Sequence, residues 1–239
     1  MRTYGKICVL ALCGVLPLFS LAGCSLLEDA TSFTVCTDPQ EMVIDSAQFG
    51  VAMPVASIPA IDCSSEDVCA QVTDQLACGG QNYDCQIACG TSGNCQVEGT
   101  AYHYTPVDLS KNDDFNSKVG SSALDKVTLE RVEYTVTENT LNFDTPALAV
   151  YVGPTTALKP ADSGVTAFTT MPAVPAGTQP QGALSPTSEG QAALSGYVQN
   201  YQTPFHILGS ASMVFENGAA LPTGRMTATI RACFQVNPL

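Results

Sequence analysis

Eleven cysteines in 239 residues constrain this chain more than any other feature, because six of them crowd into residues 63–95. Cys8 and Cys13 fall in an N-terminal leader in which Arg2 and Lys6 supply a charged start, Cys8 to Phe19 an apolar run, and small residues precede Cys24. This is the layout of a cleaved export signal. The run, broken by Pro17 and Ser20, is shorter than the roughly 20 apolar residues that a membrane-spanning helix needs. Apart from Cys24, eight cysteines follow the leader: Cys36, Cys63, Cys69, Cys78, Cys85, Cys89, Cys95 and Cys233. An even number in an exported chain implies four disulfides. Consecutive island cysteines are separated by five, eight, six, three and five residues, so there is no C-x2-C knuckle and no haem-attachment motif. The expectation is a disulfide framework with no metal and no cofactor.

The leader ends in Leu21-Ala22-Gly23-Cys24, which resembles the lipobox of bacterial lipoproteins. The resemblance implies cleavage before Cys24, diacylation of that cysteine and an added N-acyl group, palmitate being the usual kind of chain. Ser25, by its similarity to Gram-negative lipoproteins, implies sorting to the outer membrane, with periplasmic and surface orientations both open. Two or more acyl chains make a stable anchor. The expected organisation is a signal peptide over 1–23, a lipidated tether over 24–31, and a domain over 32–239 interrupted by a cysteine-rich insertion at 63–95.

The formal charge is -13, and removal of Arg2 and Lys6 brings the mature chain near -15. Such a chain offers no electrostatic footprint to nucleic acid or anionic head groups, so the lipid must supply the membrane partnership. Few charges, no tryptophan and abundant Gly, Pro, Ser and Thr suit short strands joined by turns.

Ser32 to Cys36 alternates as a strand does, and Met42 to Phe49 reads as a second strand. In the island, Ser64-Ser65-Glu66-Asp67 resembles a helix start, and Val68, Val72 and Leu76 continue it to about Ala77. Residues 81–94 hold too few apolar side chains to fold by burial, which leaves their shape to disulfides. Val97 to Leu109 is a strand or strand pair, and 110–122 a polar loop. In Lys126 to Leu141, Val127 and Leu129 share one phase but Val132, Tyr134 and Val136 share the other. Both sets reach one face only if a residue is inserted, so a bulge is expected near Glu130-Arg131. Strands follow at Ala147 to Val152 and Val165 to Thr170, then a loop over 172–185. Leu194, Tyr197, Val198 and Tyr201 recur at helical spacing after Pro186-Thr187-Ser188-Glu189, which predicts a crossover helix. Phe205 to Phe215 and Arg225 to Val236 are the last strands, the latter strictly alternating. The fold class is mainly β: an antiparallel β-sandwich with one crossover helix and a small disulfide-rich insertion containing a short helix, with an incomplete barrel as the alternative. Residues 107–236 also loosely resemble the sandwich of late-embryogenesis-abundant type 2 proteins, a resemblance that carries no site residue.

Signals of catalysis are sparse. His103 and His206 each sit in an aromatic strand setting, which suits sheet-surface residues better than bases, and neither a G-x-S-x-G elbow nor an H-E-x-x-H pair occurs. Asp108, Asn112, Asp113, Asp114 and Asn116 gather side-chain oxygens as calcium sites do, without the Gly and distal Glu of an EF-hand; a solvated acidic turn is the simpler reading. Tyr83, Tyr102, Tyr104, Tyr134, Tyr151, Tyr197 and Tyr201 either line a groove for a glycan or peptide or serve as core edges. No catalytic residue is assigned. A lipid-anchored binding or structural module of the cell envelope accounts for these features, with an envelope-polymer hydrolase and an accessory factor for assembly or transport as alternatives.

Position divides the cysteines. Six can pair within the island, which leaves Cys36 and Cys233, each in a strand and each on the side opposite the apolar residues. Cysteines on one face of neighbouring strands meet the Cβ separation of about 4 Å that a disulfide needs. Cys36 is therefore expected to bond Cys233, a loop closure worth about 4 to 5 kcal/mol in the chain-entropy account.

Overall fold

Strict alternation from Met226 to Val236 produces the strand around which the first of two sheets is built. A computed structural model of the chain describes residues 32–46, 83–89, 95–119, 124–215 and 222–238, all within the unit Ser32–Leu239. For residues 83–89 and 95–97, and for Asp114, Asp125, Phe215 and Pro238, the description covers the backbone only. The leader, Cys24, the tether, the helix expected at Glu66 to Ala77, and Cys63, Cys69 and Cys78 lie outside the described residues.

The strands are β1 (Phe33–Cys36), β2 (Gln40–Asp45), β3 (Tyr83–Cys89), β4 (Cys95–Val107), β5 (Leu124–Asn139), β6 (Leu148–Pro154), β7 (Thr166–Met171), β8 (Gln181–Leu184), β9 (Phe205–Phe215) and β10 (Arg225–Pro238). The helices are α1 (Asp113–Val119) and α2 (Ser188–Gln199). In the first sheet β10 lies between β5 on one edge and both β1 and β2 on the other, and β8 adds to β5. The second sheet runs β3-β4-β9-β6-β7. All pairings are antiparallel. The inner faces share one core, to which the first sheet gives Met226, Ile230 and Phe234 and the second Val150, Phe168 and Phe205. The chain is thus an antiparallel sandwich.

The expected bulge lies in β5. Cys233 pairs with Arg131 and Phe234 with Leu129, so Glu130 is the extra residue. Its insertion lets Val127 and Leu129 reach the core beside Val132, Tyr134 and Val136 despite their opposite phase. The disulfide expectation also holds. Cys36 stands opposite Cys233 in the β1–β10 ladder, and their sulfurs are bonded. The bond joins the first described strand to the last.

The crossover helix forms as Thr187 caps it: its Oγ1 accepts from Gly190 N while donating to Ala167 O. Leu194 and Val198 then enter the core. Two expectations need correction. The polar stretch 110–122 contains α1, because Asn112 Oδ1 accepts from Phe115 N and so caps a turn whose Phe115 and Val119 are buried. The loop over 172–185 contains β8, which pairs with Val132 to Thr135 despite its glycine and lack of alternation. Beyond these, residues 81–94 contain β3, whose backbone pairs with β4 in an unbroken ladder.

Two glycines of α2 test the packing. A Cβ at Gly190 meets Phe168 Cα at 2.6 Å and Ala167 O at 2.7 Å, whereas one at Gly196 meets nothing within 4 Å. Gly190→Ala should therefore destabilise the fold by about 1 to 3 kcal/mol through overpacking. Gly196→Ala should stabilise it by about 0.5 to 1 kcal/mol through helix propensity. Denaturant titration of both variants checks the opposite signs, and equal signs would contradict the seating of α2 on β7.

Candidate functional site

The register of the second sheet decides which polar side chains meet. His103 pairs with Gly209, and Pro106 with His206, so the two histidines stand on opposite faces of the sheet. They form no joint site. His103 lies on the inner face, in the half of β4 beyond Ala101, where β3 ends among the described residues and β2 of the other sheet approaches. Thr105 Oγ1 donates to Glu41 O at 2.8 Å. With that proton committed, His103 Nε2–H donates to Thr105 Oγ1 at 3.2 Å. Burial holds the His103 pKa below the ordinary imidazole value, against an opposing pull from the Glu41 backbone and carboxylate. The Glu41 carboxylate itself reaches toward Arg225 Nη2, at 3.8 Å on the outer face of the first sheet.

His206 differs from the expected sheet-surface residue: it is only 6% exposed, although it stands on the outer face of its sheet. The cause is the loop 155–165, which folds over that face. His206 Nδ1 donates to Ala157 O at 2.8 Å, and the ring stacks on Tyr104 with centroids 4.9 Å apart. Beside them Leu208 is fully buried although it also faces outward. Gly153 admits this cover, since a Cβ there would stand 2.9 Å from Val165 Cγ2 and 3.4 Å from Ala157 Cβ. Gly164 turns the loop at φ +81°, and the Asp162 carboxylate accepts from Leu158 N and Lys159 N, which depresses its pKa.

The tyrosines separate by strand parity. Tyr104, Leu208 and Tyr151 form one cross-strand row on the outer face, with Tyr102 and Ser210 in the next. Lys159 Nζ lies 5.3 Å from the centre of the Tyr102 ring. Thr100 and Ser212, hydrogen-bonded to each other, and Val214, 54% exposed, continue the face. The other tyrosines with described side chains serve the interior or its edge. Tyr134 is in the core, Tyr201 packs on Phe115, and Tyr197 stacks on Phe205, its hydroxyl pKa raised by burial. The Tyr83 side chain lies outside the description.

The two outer faces differ in charge. The first sheet presents Glu41, Lys126, Glu133, Glu138, Arg225 and Arg231, whereas the second sheet's strands hold two acidic residues among those described, Glu98 and Asp84, both at outer-face register positions. The aromatic and hydroxyl-bearing face was hidden in the sequence because its members are scattered over β4, β6 and β9. Period-2 spacing in Tyr102-His103-Tyr104 was the one local signal. A separate cleft of about 390 Å³ lies beside α2, lined by Gly164, Ala193, Gly196, Tyr197, Asn200 and Thr203.

The oxygen-rich segment after β4 is engaged with itself. Asp108 pairs with Lys111 at 2.8 Å and accepts from Ser110, contacts that lower its pKa. Asn112 caps α1, and Asn116 donates to Ser110 O. Asp113 is exposed at the start of α1, and the Asp114 side chain is outside the description. Among the described residues no three His, Cys, Asp or Glu side chains converge as metal ligands.

His103 yields a pH prediction. Its folded-state pKa lies below 6.5, so the unfolded chain binds the proton more readily and stability falls as pH drops below that value. His103→Gln should lose less melting temperature than the unsubstituted chain between about pH 7.5 and pH 5, the window below the ordinary histidine value. Parallel pH profiles would contradict the burial argument.

No protein-family model and no curated protein sequence matches this chain, so its own geometry carries the functional reading.

Proposed function

We propose that this chain is a lipid-anchored binding module of the bacterial cell envelope, tethered to the outer membrane through Cys24 and engaging a partner with the outer face of its second sheet. The contrast between the two outer faces carries the binding part of this reading. One face is dense in charge, as solvated sheet faces are, while the other sets Tyr102, Tyr104 and Tyr151 among Thr100, Ser210 and Ser212 with Val214 exposed. Tyrosine and hydroxyl side chains supply area and adaptable hydrogen bonding, the composition of a contact surface. An envelope protein or a glycan fits that chemistry, and nucleic acid does not fit the acidic chain. The anchor rests on Leu21-Ala22-Gly23-Cys24 and its lipobox resemblance.

Labelled-palmitate incorporation and membrane fractionation test the anchor: the wild type should carry label and sediment with outer membranes, and Cys24→Ser should do neither. The binding face is tested with the soluble Cys24→Ser domain on purified envelope preparations. Val214→Asp should weaken retention several-fold at unchanged melting temperature, while Thr128→Asp, on the charged face, should not. Equal retention of the two would remove the second sheet from the interaction. Palmitate-labelled Cys24→Ser protein would remove the anchor.

A further inference from the structure

We propose that Cys89 and Cys95 form a disulfide that joins the facing ends of β3 and β4. The inference rests on backbone register alone. Seven consecutive partners run from Tyr83↔Ala101 to Cys89↔Cys95 without a bulge, so the two cysteines stand directly opposite each other at the end of the ladder. Opposed residues of an antiparallel pair have Cα atoms about 4.5 to 5.5 Å apart, which overlaps the range that disulfides span. The same chain supplies a precedent, for Cys36 and Cys233 hold the same relation in the β1–β10 ladder and are bonded. That bond already requires an oxidising compartment.

Register also excludes the other pairings of the three cysteines in these strands. Cys85 stands opposite Gly99. It lies four residues from Cys89 on the same strand, and Gly99 lies four residues from Cys95 on the other. At about 3.3 Å per residue each of those separations is about 13 Å, beyond the reach of a disulfide. The proposal leaves Cys63, Cys69 and Cys78 as the candidate partners of Cys85, and the four that remain are even in number. Formation of the bond removes two protons and two electrons from the Cys89 and Cys95 thiols. A disulfide-bearing oxidant of the compartment accepts them by thiol–disulfide exchange and leaves as a dithiol. The product pins the edge strand β3 to β4, keeping the backbone groups of β4 paired rather than open to another chain.

The test uses the mature protein, alkylated without reduction, cleaved by thermolysin and mapped by mass spectrometry. Cys89 and Cys95 share one thermolytic fragment, which is expected without alkyl groups and two hydrogens lighter than its dithiol form; a link from either one to any other cysteine overturns the proposal, as does alkylation of both. Single substitutions give a second readout in intact protein. Cys89→Ser should expose one free thiol per molecule, located at Cys95, and Cys89→Ser/Cys95→Ser should expose none. A free thiol at any other position in either variant contradicts the pairing.

Discussion

Pairing along both edges of β10 is the interaction on which the rest of the sandwich depends. Its Met226, Ile230, Phe234 and Val236 side chains are almost wholly removed from water. Full burial of one such residue is worth about 1.5 to 3 kcal/mol before entropy is counted. On one edge β5 follows it from Met226 to Pro238, and on the other β2 and then β1 divide its length. Thr37 fills the corner between those two short strands, with its N–H donating to Ala232 O and its Oγ1 accepting from Ala232 N. The ladder between β5 and β10 shifts register three times, at Thr137, Glu130 and Asp125, and the Glu130 bulge is the shift that changes the face of β5 between Leu129 and Val132. Without that extra residue, Val127 and Leu129 would turn outward as the price of keeping Val132, Tyr134 and Val136 inside. The Cys36–Cys233 bond fixes the same ladder covalently and joins the extremes of the described domain.

The second sheet takes its position from this frame and uses its free surface differently. Thr105 links β4 to β2 at Glu41, and Met42 packs over Gly209, where a Cβ would collide with its methyl group. Outside the sandwich, the loop 155–165 lays a small apolar patch over His206 and Leu208. The Tyr102 and Tyr104 rings are partly occupied by Lys159 and His206, which holds them in place beside the open row of Ser210, Ser212 and Val214. Rigid aromatic groups next to adaptable hydroxyls are the arrangement in which the proposed binding would cost little ordering.

Much of this fold was legible in residue order, for definite reasons. Alternation in β10 and β9, the phase change in β5, the Pro186-Thr187-Ser188-Glu189 helix start and the isolation of Cys36 and Cys233 from the cysteine island are local signals with one physical solution each. β8 was not legible, because Gln181 to Leu184 carries no alternation and becomes a strand only through β5. α1 was masked by acidic and amide residues until Asn112 is seen as its cap. The candidate binding face was least legible, since cross-strand rows such as Tyr104, Leu208 and Tyr151 join residues far apart in sequence. Burial of His206 depends on the loop contact at Ala157, which strand parity does not encode.

Native-state amide hydrogen exchange tests the central role of β10 most directly. Amides of a strand paired on both edges and buried beneath its side chains open only with the whole domain, whereas edge strands and loops open locally. The amides of Ala228 to Phe234, with those of Val132 to Val136 in β5, should therefore exchange most slowly, at the rate set by global unfolding. Slowest exchange in β9 or α2, with β10 opening independently, would show that the second sheet or the helix holds the domain together and would contradict this account.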